Sequence, residues 1–597
     1  MTDNQARIAK LKKLIKDLNL DGVFVPRADE WLGEFVAPYA ERLKWLTGFS
    51  GSAGTALILI DRLVIFTDPR YTAQAATQCP DFDVVDITKE PIHEWIKNNI
   101  SPGMRFGFDP WLHTDEQCQK IVEAGYELAA MEENAVDQIW DHQPEKPKTA
   151  IHNFPDDIAG DTHTEKCNQI SWMIKEIGVR WYILTQPDSI AWLLNIRAAD
   201  TDFIPVALSY LLLGENGEII WFIDPERISE DVAEKLAHQA KFVKPDDTTE
   251  MLSALIDANR DTSFGIDFKR SPVWFKYHFA EQGKEIIDIK DPCLFPKSLK
   301  TLQEQEAIKQ AHIDDGVAVT RFLKWFAEDG VGETEISITD KLEEFRSLSP
   351  KYCGPSFPTI AGFGANGAVI HYRADDHTNT TIEEGGLILL DSGGQYHYGT
   401  TDITRTIAVG ELSDEMKENY TRVLQGHIAV ADAKFSDGTT GKDIDALARK
   451  PLQDAGLDFA HGTGHGVGCF LAVHEYAANL SPRGEDELKP GMLLSNEPGY
   501  YKEDNYGIRL ENLILCQFEE GQDVQDILEK SKDSAVDYIF ESVTFAPFDP
   551  VLIVPEMLSE DEKAWLNDYH KTVFETLSPY LDKPTTKWLA EQTAPIK

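Results

Sequence analysis

Leu387-Ile388-Leu389-Leu390-Asp391-Ser392-Gly393-Gly394 runs four large aliphatic residues into an aspartate and then a Gly-Gly pair. An unbroken apolar run of this length predicts a strand buried on both faces, and the glycines predict a turn. The segment beyond it, Thr401-Asp402-Ile403-Thr404-Arg405-Thr406-Ile407, has the β-branched composition of a returning strand. Folded back as a hairpin, the two runs set Asp391 and Asp402 side by side. Two adjacent buried carboxylates repel each other, so a cation must lie between them or one must hold a proton. A solvated turn also favours aspartate beside glycine, and the hairpin alone does not separate these readings.

The segments downstream do. His461-Gly462-Thr463-Gly464-His465-Gly466-Val467-Gly468 alternates glycine with larger residues, which allows close backbone approach and puts both histidines on one side of an extended chain. It lacks the spacing and the following Lys-Ser/Thr of a phosphate loop. Glu497 ends the run Met492-Leu493-Leu494-Ser495-Asn496, and Glu511 follows Gly507-Ile508-Arg509-Leu510, in what reads as another strand. Carboxylates in such apolar surroundings are costly unless paired. Asp391, Asp402, His465, Glu497 and Glu511 together offer one imidazole and four carboxylates, a hard set suited to manganese, magnesium or cobalt and tolerant of zinc. Four carboxylates around a single divalent ion leave excess negative charge, so the set predicts two bridged ions and a hydrolytic centre. His474-Glu475-Tyr476-Ala477-Ala478 fails the H-E-x-x-H pattern at its last position, which excludes a zincin.

Outward from this centre the chain has an α/β character, and at 597 residues it should hold two to four domains. A helical stretch with Ile8, Leu11, Leu14, Ile15 and Leu18 on one face precedes the strand Val23–Val25, and hairpin strands follow at 56–60 and 63–66. The pattern recurs about 150 residues later, with a helix around Ile170–Ile177 and strands at 181–184, 206–213 and 219–222. Trp45-Leu46 is echoed by Trp192-Leu193, and Thr67-Asp68-Pro69 by Ile223-Asp224-Pro225, so a duplicated domain is expected and not a short-period solenoid. Linker-like composition near 150 and prolines near 300 place the boundaries at 1–150, 151–300 and 301–545. In the last segment, 546–597, Ser559 and Glu562 form a capping box, and Trp565, Leu566, Tyr569, Val573, Phe574 and Leu577 mark an amphipathic helix for the catalytic domain or a second subunit.

The balance of 57 Lys+Arg against 101 Asp+Glu, net −44, repels phosphate backbones and anionic bilayers, so neither nucleic acid nor membrane is an expected partner. No apolar run approaches the ~20 residues of a membrane span, and residues 1–20 lack a secretory h-region. The seven cysteines are scattered without a C-x-x-C pair, as befits reduced thiols in the cytoplasm.

The order Asp391, Asp402, His465, Glu497, Glu511, with His371-Tyr372-Arg373 upstream and His474-Glu475 downstream, resembles the pita-bread metallopeptidase family of methionine aminopeptidase, prolidase and aminopeptidase P. The duplicated N-terminal domains and the extension after 545 resemble its long, three-domain, cytosolic aminopeptidase P branch. That resemblance implies two creatinase-like α/β domains, a pita-bread domain and a C-terminal helical extension, in an α/β (α+β) chain. It implies hydrolysis of the Xaa–Pro bond at the N-terminus of peptides, two divalent ions (manganese first, zinc or cobalt as alternatives) and a homodimer. Asp391 would chelate one ion, Asp402 and Glu511 would bridge, and His465 and Glu497 would complete the second. Glu497 would also accept a proton from the attacking water, His371 and His474 would hydrogen-bond the scissile carbonyl, and His461 would line the proline pocket. Arg509 would hold the bridging carboxylates. Prolidase shares the five ligands, a creatinase-like amidinohydrolase lacks them, and a catalytically silent peptide-binding member of the fold is the remaining alternative.

Overall fold

The computed structural model describes residues 3–258, 261–519 and 537–597, which fall into two compact units. The first comprises residues up to Phe154 together with Thr162–Cys293 and contains the duplicated halves.

In the first half, helix α1 (Asp3–Asp17) buries Ile8, Leu11 and Ile15, a three-and-four spacing that turns one face to the sheet. Strand β1 (Gly22–Pro26) is buried throughout, and helix α2 (Arg42–Thr47) ends on left-handed Gly48, φ 86°. Strands β2 (Thr55–Leu59), β3 (Leu63–Thr67), β4 (Asp83–Asp86), β5 (Arg105–Phe108) and β6 (Glu127–Ala130) complete a sheet of order β4-β3-β2-β1-β5-β6. The second half repeats it: helix α3 (His163–Glu176), strand β7 (Trp181–Leu184), helix α4 (Pro187–Leu194), then β8 (Tyr210–Gly214), β9 (Ile219–Phe222), β10 (Ala240–Val243), β11 (Phe264–Ile266) and β12 (Ile287–Asp288). Its order, β10-β9-β8-β7-β11-β12, matches strand for strand. Trp45-Leu46 and Trp192-Leu193 lie at equivalent places on α2 and α4, and Asn195, φ 48°, takes the left-handed role of Gly48. The sequence reads one strand over 206–213, but the ladder begins only at Tyr210. Upstream, the Leu208 N–H donates to Asp200 Oδ2 at 2.8 Å, so a side chain occupies a bond that a ladder would need.

The second unit, Pro155–Asp161 with Leu294–Lys597, is the α/β body around the acidic residues. Helix α5 (Leu302–Asp329) starts on a Thr301/Glu304 capping box and buries Ile308, His312, Val319 and Phe322. Helix α6 (Glu335–Arg346) follows. Strands β13 (Ile360–Phe363), β14 (Gly386–Ser392) and β15 (Ile403–Val409) form one antiparallel sheet in that order. After helices α7 (Asp414–Ala431) and α8 (Gly441–Gln453), strands β16 (Gly464–Gly466), β17 (Leu493–Asn496) and β18 (Asn512–Phe518) join a six-stranded sheet. A two-stranded ribbon, 499–502 with 506–509, lies between the last two. The Ser559/Glu562 capping box opens helix α9 (Glu560–Leu577). On α9, Leu566, Tyr569, Val573 and Leu577 share one apolar cluster with Tyr420, Leu424 and Ile514 of the same unit. Each such buried aliphatic contributes about 1.5–3 kcal/mol.

Candidate metal centre

β14 and β15 pair in register, Asp391 opposite Thr404 and Ser392 opposite Ile403, so the hairpin puts Asp391 near the end of one strand and Asp402 just before the other. Both are buried, at 8% and 4% exposure. The β16 glycines serve close approach: a Cβ on Gly464 would lie 1.9 Å from the Ser495 carbonyl of β17. That contact brings His465 beside the end of β17, where Glu497 follows and donates its N–H to the Thr463 carbonyl at 2.7 Å. Glu511 differs from its sequence reading. It sits in the break between the ribbon strand ending at Arg509 and β18, not within a strand, because its N–H is claimed by the Thr404 carbonyl at 3.1 Å as the chain passes from ribbon to sheet.

One ligand atom each from Asp402, His465 and Glu511 lie within 4.8 Å of one another. His465 Nε2 is 3.5 Å from Asp402 Oδ2 and 3.6 Å from Glu497 Oε1. The His465 Nδ1–H donates to the Gly466 carbonyl at 3.0 Å, which leaves Nε2 facing the carboxylates, and in the neutral ring Nε2 is the nitrogen that offers a lone pair to a metal. Asp391 Oδ2 accepts from the Arg509 guanidinium at 2.5 Å, while Oδ1 is buried with no hydrogen-bond partner among the described residues. Glu511 Oε2 accepts from Thr404 Oγ1 at 2.7 Å.

Burial, reinforced by the charge of neighbouring carboxylates, pushes Asp402, Glu497 and Glu511 well above the usual carboxylate range. Arg509 answers part of that charge and no more. An imidazole nitrogen and crowded oxygens turned toward one another, with an orphaned carboxylate oxygen beside them, are the donor set of a divalent-cation site, and these residues fit one.

The three histidines lie around this cluster in different ways. His474 is exposed and packs edge-on against His465, ring centroids 4.5 Å apart. The His461 Nδ1–H donates to the Gly462 carbonyl at 2.7 Å, and its Nε2 accepts from Tyr501 Oη at 2.8 Å. Burial, aided by Arg509, pushes it down to about 3, so it stays neutral. His371 is half-buried on the irregular segment after β13, and the carbonyl of Ile370 before it accepts from the same Arg509 at 3.4 Å.

Sequence reasoning missed Tyr501, Thr404 and Ser495. Tyr501 Oη accepts from Arg509 at 2.7 Å while donating to His461, and Ser495 Oγ is 3.4 Å from Glu497 Oε1. Thr404 had a legible signal, since it shares a strand face with Asp402. Tyr501 had none.

The family models agree with this architecture. "Metallopeptidase family M24" matches residues 306–517, "Creatinase/Prolidase N-terminal domain" matches 7–138 and again 142–304, and "C-terminal region of peptidase_M24" matches 538–596. Fold and site therefore define a metallopeptidase with creatinase-type N-terminal domains, and the chain belongs to metallopeptidase family M24. Its relatives include the "Probable Xaa-Pro aminopeptidase P" of Colletotrichum graminicola, 33% identical over all of this chain and 99% of that protein. The one from Pyrenophora teres f. teres is 34% identical over 99% and 93%. Among solved structures, the X-prolyl aminopeptidase of Caenorhabditis elegans, described as a cytosolic enzyme with a di-nuclear active site, superimposes with a TM-score of 0.91 at 28% identity, each chain covered completely.

Proposed function

We propose that the chain is a metal-dependent Xaa-Pro aminopeptidase that releases the first residue of peptides carrying proline second. The observation that carries this reading is the convergence of Asp402, His465 and Glu511 within 4.8 Å, in a chain that aligns along its whole length with aminopeptidase P relatives. Asp391, Asp402, His465, Glu497 and Glu511 would hold two divalent ions, manganese by the preference of an oxygen-rich set, with zinc or cobalt tolerated. Such ions acidify water toward neutral pH and polarise a carbonyl.

The chain's own groups do the rest. Glu497 accepts a proton from the attacking water at Oε and passes it toward the departing proline nitrogen. His371 and His474 hydrogen-bond the scissile carbonyl oxygen as it becomes anionic. His461, kept neutral by burial and oriented by Tyr501 and Gly462, lines the pocket for the proline ring. The Xaa–Pro bond is a tertiary amide with no N–H, so a peptidase that reads backbone donors stalls there. A site that reads the free ammonium, the carbonyl and a compact ring does not, and its carboxylates favour the ammonium end.

We assign residues 1–150 and 151–300 to the creatinase-like domains, 301–545 to the pita-bread domain and 546–597 to the extension. We place the protein in the cytoplasm as a homodimer. No helix of the described residues is long and apolar enough to cross a membrane, and the nematode relative is cytosolic.

The test incubates metal-stripped and manganese-restored protein with Xaa-Pro, Xaa-Pro-Xaa and Xaa-Ala-Xaa peptides. Manganese-dependent release of the first residue from Xaa-Pro-Xaa is expected. Cleavage of the dipeptide alone would identify a prolidase, and indifference to the second residue would remove the proline claim.

A further inference from the structure

Glu335 is the first residue of α6 and is fully buried, at 0% exposure. No lysine or arginine pairs with it among the described residues, yet its carboxylate is crowded with donors. Oε1 accepts from the Phe363 N–H at 2.8 Å and from Asn366 Nδ2 at 2.9 Å. Oε2 accepts from the Thr380 N–H at 2.9 Å and from Tyr372 Oη at 2.8 Å. Seated at a helix N-terminus, its two oxygens thus meet donors on every side.

These donors belong to one stretch of chain, from the end of β13 to Thr380, which has little regular structure of its own. His371 lies in its middle. On one side, the Ile370 carbonyl accepts from Arg509, the guanidinium that also binds Asp391. On the other, Tyr372 is 7% exposed and its hydroxyl ends on Glu335, with the Thr378 carbonyl 2.9 Å away as a second acceptor. The backbone on either side of His371 is thus pinned, by the Arg509 guanidinium on one flank and by the buried Glu335 side chain on the other.

We propose that Glu335 is a positioning residue for His371: its carboxylate fixes the 363–380 segment so that the imidazole meets the substrate carbonyl in one orientation. The inference rests on the role given to His371 above. A misplacement of about 1 Å at a reacting group costs about 10²-fold in rate, so a hub remote from the chemistry can govern it. Replacing the carboxylate by an amide turns one acceptor into a donor facing donors and should loosen the segment without removing any group from the site.

The test compares wild type, Glu335→Gln, Tyr372→Phe, His371→Ala and the Glu335→Gln/His371→Ala double variant on an Xaa-Pro-Xaa peptide, with bound metal measured throughout. Glu335→Gln should lower kcat by about 10- to 100-fold with KM within about 2-fold and metal content unchanged. Tyr372→Phe, which leaves the carboxylate in place, should lose about 3- to 10-fold. In the His371→Ala background, Glu335→Gln should cost less than about 2-fold, since the two act through one group. Equal losses in both backgrounds, a loss that tracks metal content, or no loss at all would overturn the proposal. Hydrogen exchange of metal-free Glu335→Gln gives an answer independent of turnover: faster exchange confined to 363–380 is expected, and unchanged exchange there refutes the positioning. An inactive wild type would sink the peptidase reading, while the exchange result would still decide this one.

Discussion

Two buried acidic clusters hang from neighbouring residues of β14 and are built on opposite principles. Ser392 accepts from Arg346 at 3.1 Å, and Arg346 makes a two-point contact with Asp315, at 2.8 and 3.2 Å, which Tyr396 completes at 2.9 Å. The guanidinium draws the Asp315 carboxyl below its usual range despite burial. One residue earlier, Asp391 faces the other way, toward Asp402, Glu497 and Glu511, whose carboxyls burial and mutual repulsion push up. The first cluster is electrically closed and holds α5 to α6 and β14. The second is answered only in part by Arg509 and fits a divalent-cation site. A strand that alternates its faces can serve both purposes within one residue step.

The sharpest way to break that contrast is Asp402→Ala. Loss of a shared ligand should abolish stoichiometric metal and lower turnover by about 10³-fold or more, and full activity with bound metal would overturn the ligand assignment. Arg346→Met is the counterpart in the closed cluster. Leaving Asp315 buried and unpaired should destabilise the protein by about 3–5 kcal/mol in denaturant titrations, with metal content per folded molecule unchanged. Stripping the metal from wild type with a chelator should cost about 3–4 kcal/mol if the ion was present at several hundred times its Kd, read as a fall in Tm that manganese restores.

A third region, under the C-terminal extension, tests burial beside a charge of the same sign. His427 and His570 flank Phe548, and burial, aided by the Arg405 guanidinium, pushes them down to about 3 and about 4. With folded values below the unfolded one near 6.5, their stabilisation is complete above that pH and lost as pH falls toward the folded values. Each should cost about 1.4 kcal/mol per pH unit below 6.5, hence about 2 kcal/mol by pH 5. Replacing His570 by Gln, whose amide oxygen can still accept from the Phe548 N–H, should flatten the slope of Tm against pH. The smallest effect should be the most telling for the open cluster: in metal-free protein, Asp402→Asn should raise stability by about 1–2 kcal/mol, because it removes repulsion, whereas Asp315→Asn lowers it.

The duplicated α/β halves were legible because their central strands, Gly22–Pro26, Trp181–Leu184, Tyr210–Gly214 and Ile219–Phe222, are short, fully buried apolar runs whose pattern lies within a few residues. Asp391 was legible because it interrupts an aliphatic run, and His465 because its flanking glycines have no other evident use. Glu511 was found by residue type but placed in the wrong element, since the break at Leu510–Glu511 is set by a bond to Thr404, 107 positions away. Tyr501, Glu335 and the Arg346–Asp315 pair could not be read, because a tyrosine in a polar ribbon or a glutamate at a helix start looks the same whether or not a partner waits across the fold.

Taken alone, the sequence determined the chemistry available: alternating apolar runs, caps, glycines and a set of hard ligands whose identities are fixed by covalent structure. Only the tertiary structure decided which of those groups would share a space, which carboxylates would be answered by a guanidinium and which left to repel. Propensity and pattern act over a few residues, whereas desolvation and charge act over ångströms between segments that the chain separates by a hundred positions or more.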